Sequence, residues 1–572
     1  MKFLILSLWS LLISSAVADP RYATIITRAQ RLLIIKSPKV TILLRQGTVI
    51  GLSDAYAPQD VHSFRGIPYA EPVVRFKPSV RVAESFGHIN ATSYGPICPQ
   101  VLSNPNQTYS ENCLSINVFK PSNATSHSAL PVVAYIHGGA FNVGYSYSRD
   151  IGNMIATRSE PYIGVSFNYR IGVFGFLSNN LGARIGAQNL GLRDQILALQ
   201  WVQENIAAFG GDPSQVTIMG NSAGAHSIGH HIQSPLSTGL FHRAIMESGS
   251  PTARFCQSAG SALSEIQFSD LTSALSINTQ NESDNAIIDA LTAVPLADFT
   301  TAESDIYLLY NPSIQWPWQP TIDGPGGVIP QAPLDLWGSG DWNKVPILTG
   351  SCDNEDASFV PNLNTSAQFN SFFQVLNPEL TSYDMDALNS LYPDPLTTNS
   401  TMYKQLQTSR GPQFTRVTAA YGEFAYIQPV RHSAYFASSR ALFPPLYLYE
   451  GAMNISVPLG TGHDCINPYV HYKSDITDIS QTQRQLSAAV NEYWTSFIVS
   501  GNPNSVRGKS SNRATWPRYT PDGAKANTLV LGKGNDERAG GDSLGVLTDA
   551  VVEDRFVKTG HFWWSRTILT EH

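Results

Sequence analysis

Short apolar runs alternate along the chain with amphipathic stretches, which is the pattern of strands and helices in turn. Strands are predicted at 131–136, 163–169, 216–219, 345–349 and 446–449. Helices are predicted at 192–209, where apolar side chains recur at helical spacing, and at 223–233. Because such strands are buried on both sides, the pattern predicts a mostly parallel sheet with helices on both faces. Functional groups should then lie on loops at the carboxyl ends of the strands.

Two long segments interrupt this alternation, 259–330 and 361–431. Both are polar, partly helical in pattern and broken by Pro and Gly, so we expect insertions over the mouth of a site rather than strands of the sheet. No composition shift or linker marks a domain boundary, and a single α/β domain is expected over 19–572. Residues 21–36 have no interpretable pattern.

The first eighteen residues are typical of a secretory signal. Lys2 is their only charge, 3–13 is apolar, and 16–18 reads A-V-A, a small-x-small cleavage pattern. We therefore expect a secreted, extracellular protein with no integral membrane segment. Seven N-x-[ST] sequons are consistent with export: Asn90, Asn106, Asn123, Asn281, Asn364, Asn399 and Asn454.

The net charge of −7 and a pI near 6.0 argue against nucleic acid or an anionic membrane surface as the main partner. Five cysteines in 572 residues are too few for a disulfide scaffold but allow one or two bridges. Oligomeric state is not readable from these numbers.

Residues 220–224 read G-N-S-A-G, between the apolar run 216–219 and the predicted helix 223–233. Strand, G-x-S-x-G and helix together are the pattern of a nucleophile elbow, a tight turn that presents a serine hydroxyl above a sheet. A plain glycine turn with a solvated serine is the alternative. Ser222 is the candidate nucleophile.

A serine nucleophile needs a histidine to take its proton and an acid to orient that imidazole. In the elbow architecture the chain order is Ser, then Asp or Glu, then His. His463 is favoured as the base because it lies in a Gly-rich loop soon after the strand at 446–449. The histidines that this order allows are His226, His230, His231, His242, His432, His463, His471, His561 and His572.

The acid is expected just past the strand at 345–349. Residue type and position favour Glu355 slightly, and Asp353 and Asp356 remain alternatives. An oxyanion hole also needs backbone N–H groups aimed at the developing charge. Residues 137–141, H-G-G-A-F, follow a predicted strand directly and suit that role. The donors would be Gly139 and Ala140, with Ala223 after the nucleophile; a plain turn is again the alternative.

The chain resembles the type-B carboxylesterase/lipase family, the cholinesterase-like branch of the α/β-hydrolases, from about Lys39 to the C-terminal region. The motifs that carry this resemblance are F-R-G-I-P-Y-A at 64–70, E-N-C-L-S-I-N-V at 111–118, N-Y-R at 168–170, N-L-G-L-R-D-Q at 189–195, F-G-G-D-P at 209–213, S-A-G at 222–224 and F-H-R-A-I at 241–245.

The resemblance implies an α/β-hydrolase fold and a secreted carboxylic ester hydrolase with a small-molecule ester substrate and neither metal nor organic cofactor. Residue by residue, it places the nucleophile on Ser222, the acid on Glu355 and the base on His463. It also implies a disulfide between Cys98 and Cys113. A bridge from Cys352 to Cys465 is a hypothesis: these cysteines flank the acid and the base, whose loops meet if the triad assembles.

This chain departs from the family pattern beside each catalytic position. Asn221 replaces a Glu before the nucleophile, and Ala140 replaces a Gly of the oxyanion loop. Asp356 and Asp464 replace small residues beside the acid and the base, and their negative charge should raise the pKa of His463.

Three functions fit these features in different degrees. A serine esterase is favoured over a triacylglycerol lipase, because the segment 99–112 between the first two cysteines is short and polar where lidded relatives carry an amphipathic lid. A non-catalytic adhesion or binding protein on the same fold is disfavoured, since Ser222, Glu355 and His463 are all present.

Overall fold

The computed structural model describes residues 37–83, 87–253, 256–398, 403, 410–440, 442–508, 510, 513–521, 526–554 and 556–570. The predicted signal segment 1–18, the segment 21–36 and the sequon at Asn399 lie outside these residues.

The described residues form one sheet of thirteen strands. Their bounds are β1 Lys39–Leu44, β2 Gly47–Asp54, β3 Val61–Pro68, β4 His88–Asn90, β5 Ser115–Pro121, β6 Leu130–Ile136, β7 Ile163–Phe167, β8 Gly211–Asn221, β9 Arg243–Glu247, β10 Ile347–Cys352, β11 Leu446–Gly451, β12 Ala526–Lys533 and β13 Val546–Glu553.

The order across the sheet is β1-β2-β3-β5-β7-β6-β8-β9-β10-β11-β12-β13, with β4 paired to β2. From β7 to β12 every pairing is parallel. The flanking hairpins are antiparallel. Five predicted strands are confirmed as β6, β7, β8, β10 and β11, all in the parallel centre, where burial on both faces produces the continuous apolar runs.

The α-helices have these bounds: α1 Ile151–Thr157, α2 Gly172–Gly175, α3 Asn180–Ile185, α4 Leu190–Asn205, α5 Ala223–Gln233, α6 Ala262–Ala274, α7 Asp284–Ala293, α8 Leu296–Tyr310, α9 Pro333–Ser339, α10 Ser366–Leu376, α11 Ser382–Leu391, α12 Phe414–Gly422, α13 Gln428–Ser438, α14 Asn467–Val470, α15 Ser474–Thr477, α16 Gln481–Ser500 and α17 Val557–Trp564.

Alternate residues of the central strands feed two separate cores. Val132 and Ala134 of β6 belong to the core that α4 and α5 cover. Val133 and Tyr135 belong to the opposite core, covered by α1 and α16. Side chains of a strand alternate between faces, so both faces of β6 are apolar and both carry helices, as the sequence predicts.

The predicted helix 192–209 is shorter than expected. Helix α4 ends at Asn205, and 206–209 is a turn of 3-10 helix closed by Gly210 at φ 94°. No helix of the described residues is both long and apolar enough to cross a membrane.

The two segments that interrupt the pattern are largely helical. The segment 259–330 contains α6, α7 and α8, and the segment 361–431 contains α10, α11, α12 and the start of α13. An aromatic core joins the second segment to Ile314 and Trp316 of the first. Ala140 of the predicted oxyanion loop and Phe359, near the predicted acid, pack against that core. The insertions therefore lie against the loops at the carboxyl edge of the sheet.

Candidate active site

Ser222 lies at the turn between β8 and α5 with φ 56° and ψ −125°. Its N–H donates to the carbonyl of Glu247 at 2.9 Å, and its carbonyl accepts from the N–H of His226 at 2.9 Å. The flanking glycines are required by contact. A Cβ on Gly220 would lie 2.7 Å from the carbonyl oxygen of Ile136, and one on Gly224 would lie 2.1 Å from the same atom. The strained turn holds the serine at the edge of the sheet, as in a nucleophile elbow.

Glu355 and His463 form a hydrogen-bonded pair between the loops that follow β10 and β11. Glu355 Oε2 bonds to His463 Nδ1, and Oε1 accepts from the N–H of Cys352 at 2.7 Å. Both carboxylate oxygens are thus occupied, and the carboxylate is fully buried. Of the three acids in this loop, the structure brings Glu355 to the histidine.

The two loops are joined by further links around this pair. Asn354 and Thr461 exchange hydrogen bonds at 3.0 Å, and a disulfide connects Cys352 to Cys465 with their Cα atoms 6.3 Å apart. The hypothesis of this second disulfide is confirmed. Acid and base are fixed relative to each other by backbone, side-chain and covalent links.

His463 Nε2, the atom that faces away from the acid, is buried and has no hydrogen-bond partner among the described residues. Among the described residues, no hydrogen bond joins His463 Nε2 to Ser222 Oγ. The ring of Tyr426 lies 4.7 Å from the ring of His463 and 5.6 Å from that of His226, whose N–H contacts the serine carbonyl. Apo sites often have long or unmade catalytic hydrogen bonds that tighten when substrate binds.

The charge balance around His463 favours its protonated form. Burial lowers the pKa of the imidazole, but the Glu355 carboxylate, with smaller contributions from Asp356 and Asp464, outweighs burial and raises it. The sequence-based expectation for the two extra aspartates is therefore confirmed in direction. A buried carboxylate that stabilises imidazolium suits a histidine that takes and returns a proton.

In the loop after β6, the carbonyl groups of Gly139 and Ala140 accept hydrogen bonds from other groups of the protein. The carbonyl of Gly139 accepts from the N–H groups of Asn142 and Val143, and the carbonyl of Ala140 accepts from the side-chain amides of Asn142 and Gln319. No described group accepts from the N–H of Gly139 or Ala140. Ala223 is the first residue of α5, where helical N–H groups lack intrahelical partners. The three predicted donors are therefore unoccupied.

Ala140 adopts φ 54°, a left-handed conformation that its methyl group disfavours, and Gly139 adopts φ 116°. A Cβ on Gly139 would lie 1.9 Å from the carbonyl oxygen of Val143, so that position requires glycine. The methyl of Ala140 instead packs against the aromatic core of the insertions.

The predicted disulfide between Cys98 and Cys113 is present, with Cα atoms 4.9 Å apart. The loop it closes, 99–112, contains no helix. Cys256 is a buried thiol. Among the described residues, no group of three or more His, Cys, Asp or Glu side chains is placed to hold a metal ion.

The histidines that follow the nucleophile along α5 are structural. His231 bonds to Ser237 Oγ at 2.9 Å and to Gln195 Oε1 at 2.8 Å, and both His230 and His231 are buried. No hydrogen bond joins their two rings in the described structure. Burial lowers the pKa of each to about 3.

We expect this burial to make the fold acid-labile. Because the unfolded chain binds these protons near the ordinary histidine pKa and the folded chain does not, stability is complete above about pH 6.5 and falls with acidification towards pH 3. At about pH 4.5, a buried neutral histidine costs the folded state about 2 to 3 kcal/mol. The loss of stability between about pH 7.5 and 4.5, measured by urea unfolding, should shrink by that amount in His231→Gln. The exposed His88, replaced in the same way, is the control, and an equal loss in all three proteins would contradict the assignment.

A group of polar residues beside Ser222, Glu355 and His463 was not found from sequence. Arg149 pairs with Asp464, and Asn467 donates to the buried carboxylate of Glu247 at 2.7 Å. Asn221, which replaces a Glu, donates to the carbonyl of Glu247 at 3.3 Å. These contacts span up to 315 residues of sequence, so no local pattern could have indicated them.

Comparisons with known proteins identify the family of this chain. The sequence profile of the Carboxylesterase family matches residues 36–539. The chain therefore belongs to the carboxylesterase family, whose members include the lipases and esterases described next.

Three relatives show how far the similarity extends. Secreted lipase 4 of Gibberella zeae is 32% identical over 517 residues, covering 89% of this chain and 88% of that protein. Para-nitrobenzyl esterase of Bacillus subtilis is 32% identical over 492 residues, covering 82% of this chain and 91% of that protein. The crystal structure of Aspergillus niger EstA superposes with a TM-score of 0.78 at 26% identity, over 93% of this chain and 99% of that one.

Proposed function

We propose that the protein is a secreted serine carboxylic ester hydrolase that acts through Ser222, His463 and Glu355. The observation that carries this proposal is the buried pair of Glu355 and His463, in which Nε2 of the imidazole has no hydrogen-bond partner among the described residues. The elbow at Ser222 lies at the same edge of the sheet, and strained backbone of this kind clusters at active sites.

In the proposed reaction, His463 Nε2 takes the proton of Ser222 Oγ as that oxygen attacks the ester carbonyl carbon. Glu355 holds Nδ1–H, which fixes the tautomer that leaves Nε2 free to accept, and it stabilises the imidazolium that forms. The N–H groups of Gly139, Ala140 and Ala223 donate to the carbonyl oxygen as it becomes negative.

The tetrahedral intermediate collapses when His463 returns the proton to the departing alcohol, leaving an acyl group on Ser222. Water then attacks the acyl-enzyme with His463 again as base, and the carboxylic acid leaves. The small-molecule ester is the only substrate besides water that this sequence of steps needs.

A panel of nitrophenyl esters graded by acyl length tests the proposal. We expect burst kinetics, since acylation releases nitrophenol before deacylation completes, and loss of the burst after treatment with a fluorophosphonate. Peptide mapping should find the phosphonyl group on Ser222 alone. A phosphonylated peptide elsewhere, with activity abolished, would assign the nucleophile to another residue.

Triacylglycerol hydrolysis is the second candidate, and the relatives named secreted lipases favour it. The Cys98–Cys113 loop favours the simple esterase, because it contains no helix that could act as an amphipathic lid. The same ester panel separates the two. A jump in rate when a long-chain ester passes its solubility limit indicates a lipase, and smooth saturation indicates an esterase.

A non-catalytic binding protein on this fold is the candidate from another class. This candidate predicts neither a burst nor phosphonylation of Ser222. The labelling experiment therefore excludes it if Ser222 is phosphonylated and supports it if no burst and no label are found.

Secretion is supported by the relatives named secreted lipases and by the sequons. Asparagines of five described sequons are exposed to solvent, as a glycan requires: Asn90, Asn106, Asn123, Asn281 and Asn364. Asn454 is half-buried.

A further inference from the structure

A chain of hydrogen bonds runs beneath the loop that carries His463, and the proposed ester hydrolysis does not use it. Arg149 pairs with Asp464, the residue after His463, and its Nε donates to Asn467 Oδ1 at 2.9 Å. Asn467 Nδ2 in turn donates to Glu247 Oε2 at 2.7 Å. Glu247 and Asn467 are fully buried, whereas the side chain of Arg149 keeps 20% of its exposure.

This chain joins three parts of the site. Arg149 follows the oxyanion loop, Asp464 and Asn467 follow the base, and Glu247 ends β9 directly behind the nucleophile. The carbonyl of Glu247 accepts from the N–H of Ser222 at 2.9 Å. A side chain that holds these segments together can set both the position and the charge of the site.

We propose that Arg149 is a positioning residue for His463: its guanidinium neutralises Asp464 beside the imidazole and, by also binding Asn467, fixes the base loop against the oxyanion loop. The proposal rests on the proposed function, since it assumes that His463 is the general base.

Asp464 needs such a partner for two reasons. It adopts φ 71°, a left-handed conformation that an aspartate tolerates better than most side chains but that still favours glycine. Its carboxylate also adds negative charge next to a histidine that must be neutral to accept a proton from Ser222. Pairing with a guanidinium that is always charged offsets both the conformational cost and the charge.

Several other charged or titratable groups face His463 and Asp464. These groups are Glu355, Asp356, Arg149, Glu247, Tyr135, Tyr426, Tyr449 and Arg538. Burial raises the pKa of Glu247 to about 8, so this carboxyl is mostly neutral below that pH. Burial likewise raises the pKa of Tyr449 and Tyr135, which stay neutral. Substitutions at Arg149 leave the charges of Glu355 and Asp356 in place. Asp464 is therefore the charge that Arg149 controls.

The test is the acidic limb of the pH profile of kcat/KM, which reports protonation of the base in the free enzyme. In Arg149→Met, the charge of Asp464 acts on the imidazole without compensation, so we expect the limb to move to higher pH. The shift should be about one unit, at the low end of the range for a nearby charge, because the side chains of Arg149 and Asp464 are both partly exposed. In Asp464→Asn the limb should move to lower pH. A merely structural role would lower the plateau without moving the limb.

Two further variants separate charge from geometry. In the Arg149→Met/Asp464→Asn double variant, the limb should return close to that of wild type, since two opposite charges are removed together. Arg149→Lys keeps the charge but cannot bond Asp464 and Asn467 in the same planar fork, so the limb should stay near wild type while the plateau falls several-fold. Arg184→Met, which breaks the remote surface pair of Arg184 with Asp284, is the matched control and should change neither.

The proposal is wrong if Arg149→Met is active with an unmoved limb, or if the double variant keeps the low-pH limb of Asp464→Asn. Should Arg149→Met not fold, Asp464→Asn and Arg149→Lys decide: an unmoved limb in the first, or a displaced one in the second, overturns the proposal. Ser222→Ala is measured alongside. If that variant keeps its activity, the proposed function fails, whereas an inactive Ser222→Ala with an unmoved limb in Arg149→Met refutes the role of Arg149 alone.

Discussion

Ser222→Ala should lower kcat/KM for a short-chain nitrophenyl ester by about five to six orders of magnitude, the size of loss seen when the serine of a catalytic triad is removed. The change deletes only the hydroxyl, so no acyl-enzyme can form. His463 and the oxyanion donors remain, and the residual rate should reflect attack by water in a site that still binds the ester. Initial rates at saturating and limiting substrate, corrected for spontaneous hydrolysis, measure the effect.

Ser214→Ala is the control for this substitution. Ser214 is exposed at the start of the same strand, β8, and its hydroxyl donates to Asp212 at 2.6 Å. We expect wild-type activity from that variant. A Ser222→Ala protein that folds and keeps esterase activity within about tenfold of wild type would exclude the proposed mechanism.

Glu355→Gln should be the second most damaging substitution, with kcat reduced by about 10³ to 10⁴ at nearly unchanged structure. The glutamine at position 355 has one arrangement that preserves the backbone contact of Glu355. In it, the amide oxygen accepts from the N–H of Cys352, as Oε1 does now. The amide nitrogen then faces His463 Nδ1 and donates to it. Because Nδ1 must accept that bond, the neutral imidazole carries its proton on Nε2, and the base can no longer take a proton from Ser222.

The same substitution changes the pH dependence in a defined direction. Glu355 is the chief cause of the raised pKa of His463, so its neutral replacement should move the acidic limb of any residual activity to lower pH. Asp353→Asn, two residues away in the same loop, is the matched control. Comparable losses in the two variants would show that the loop tolerates no change, and would leave the acid unassigned.

The central sheet could be predicted from sequence because its strands are buried on both faces. The runs that became β6, β8 and β11 are mostly apolar, and the parallel order follows from the helices between them. The outer hairpin of β1 and β2 gives no such signal, since half of each strand faces solvent or the neighbouring loops. Its pairing depends on register, which is decided by contacts distant in sequence.

The candidate site divides in the same way. Ser222 and the oxyanion loop are marked by glycines at positions where a side chain would not fit, and these glycines can be read from the sequence. The choice of Glu355 over its neighbours depends on which carboxylate reaches His463, 108 residues away, and residue type alone left it open. Arg149 belongs to the same kind of long-range contact and carries no local signal.

The disulfide between Cys352 and Cys465 has a consequence for the integrity of the chain. The two cysteines are 113 positions apart in sequence, and the segment between them includes the large helical insertion. The chain therefore leaves the site after the acid and returns to it just before the base. A protease that cut any single bond in that excursion would yield two fragments still covalently joined beside the Glu355–His463 pair. In an extracellular setting, where proteases are common and disulfides persist, the enzyme is thereby built to survive nicking.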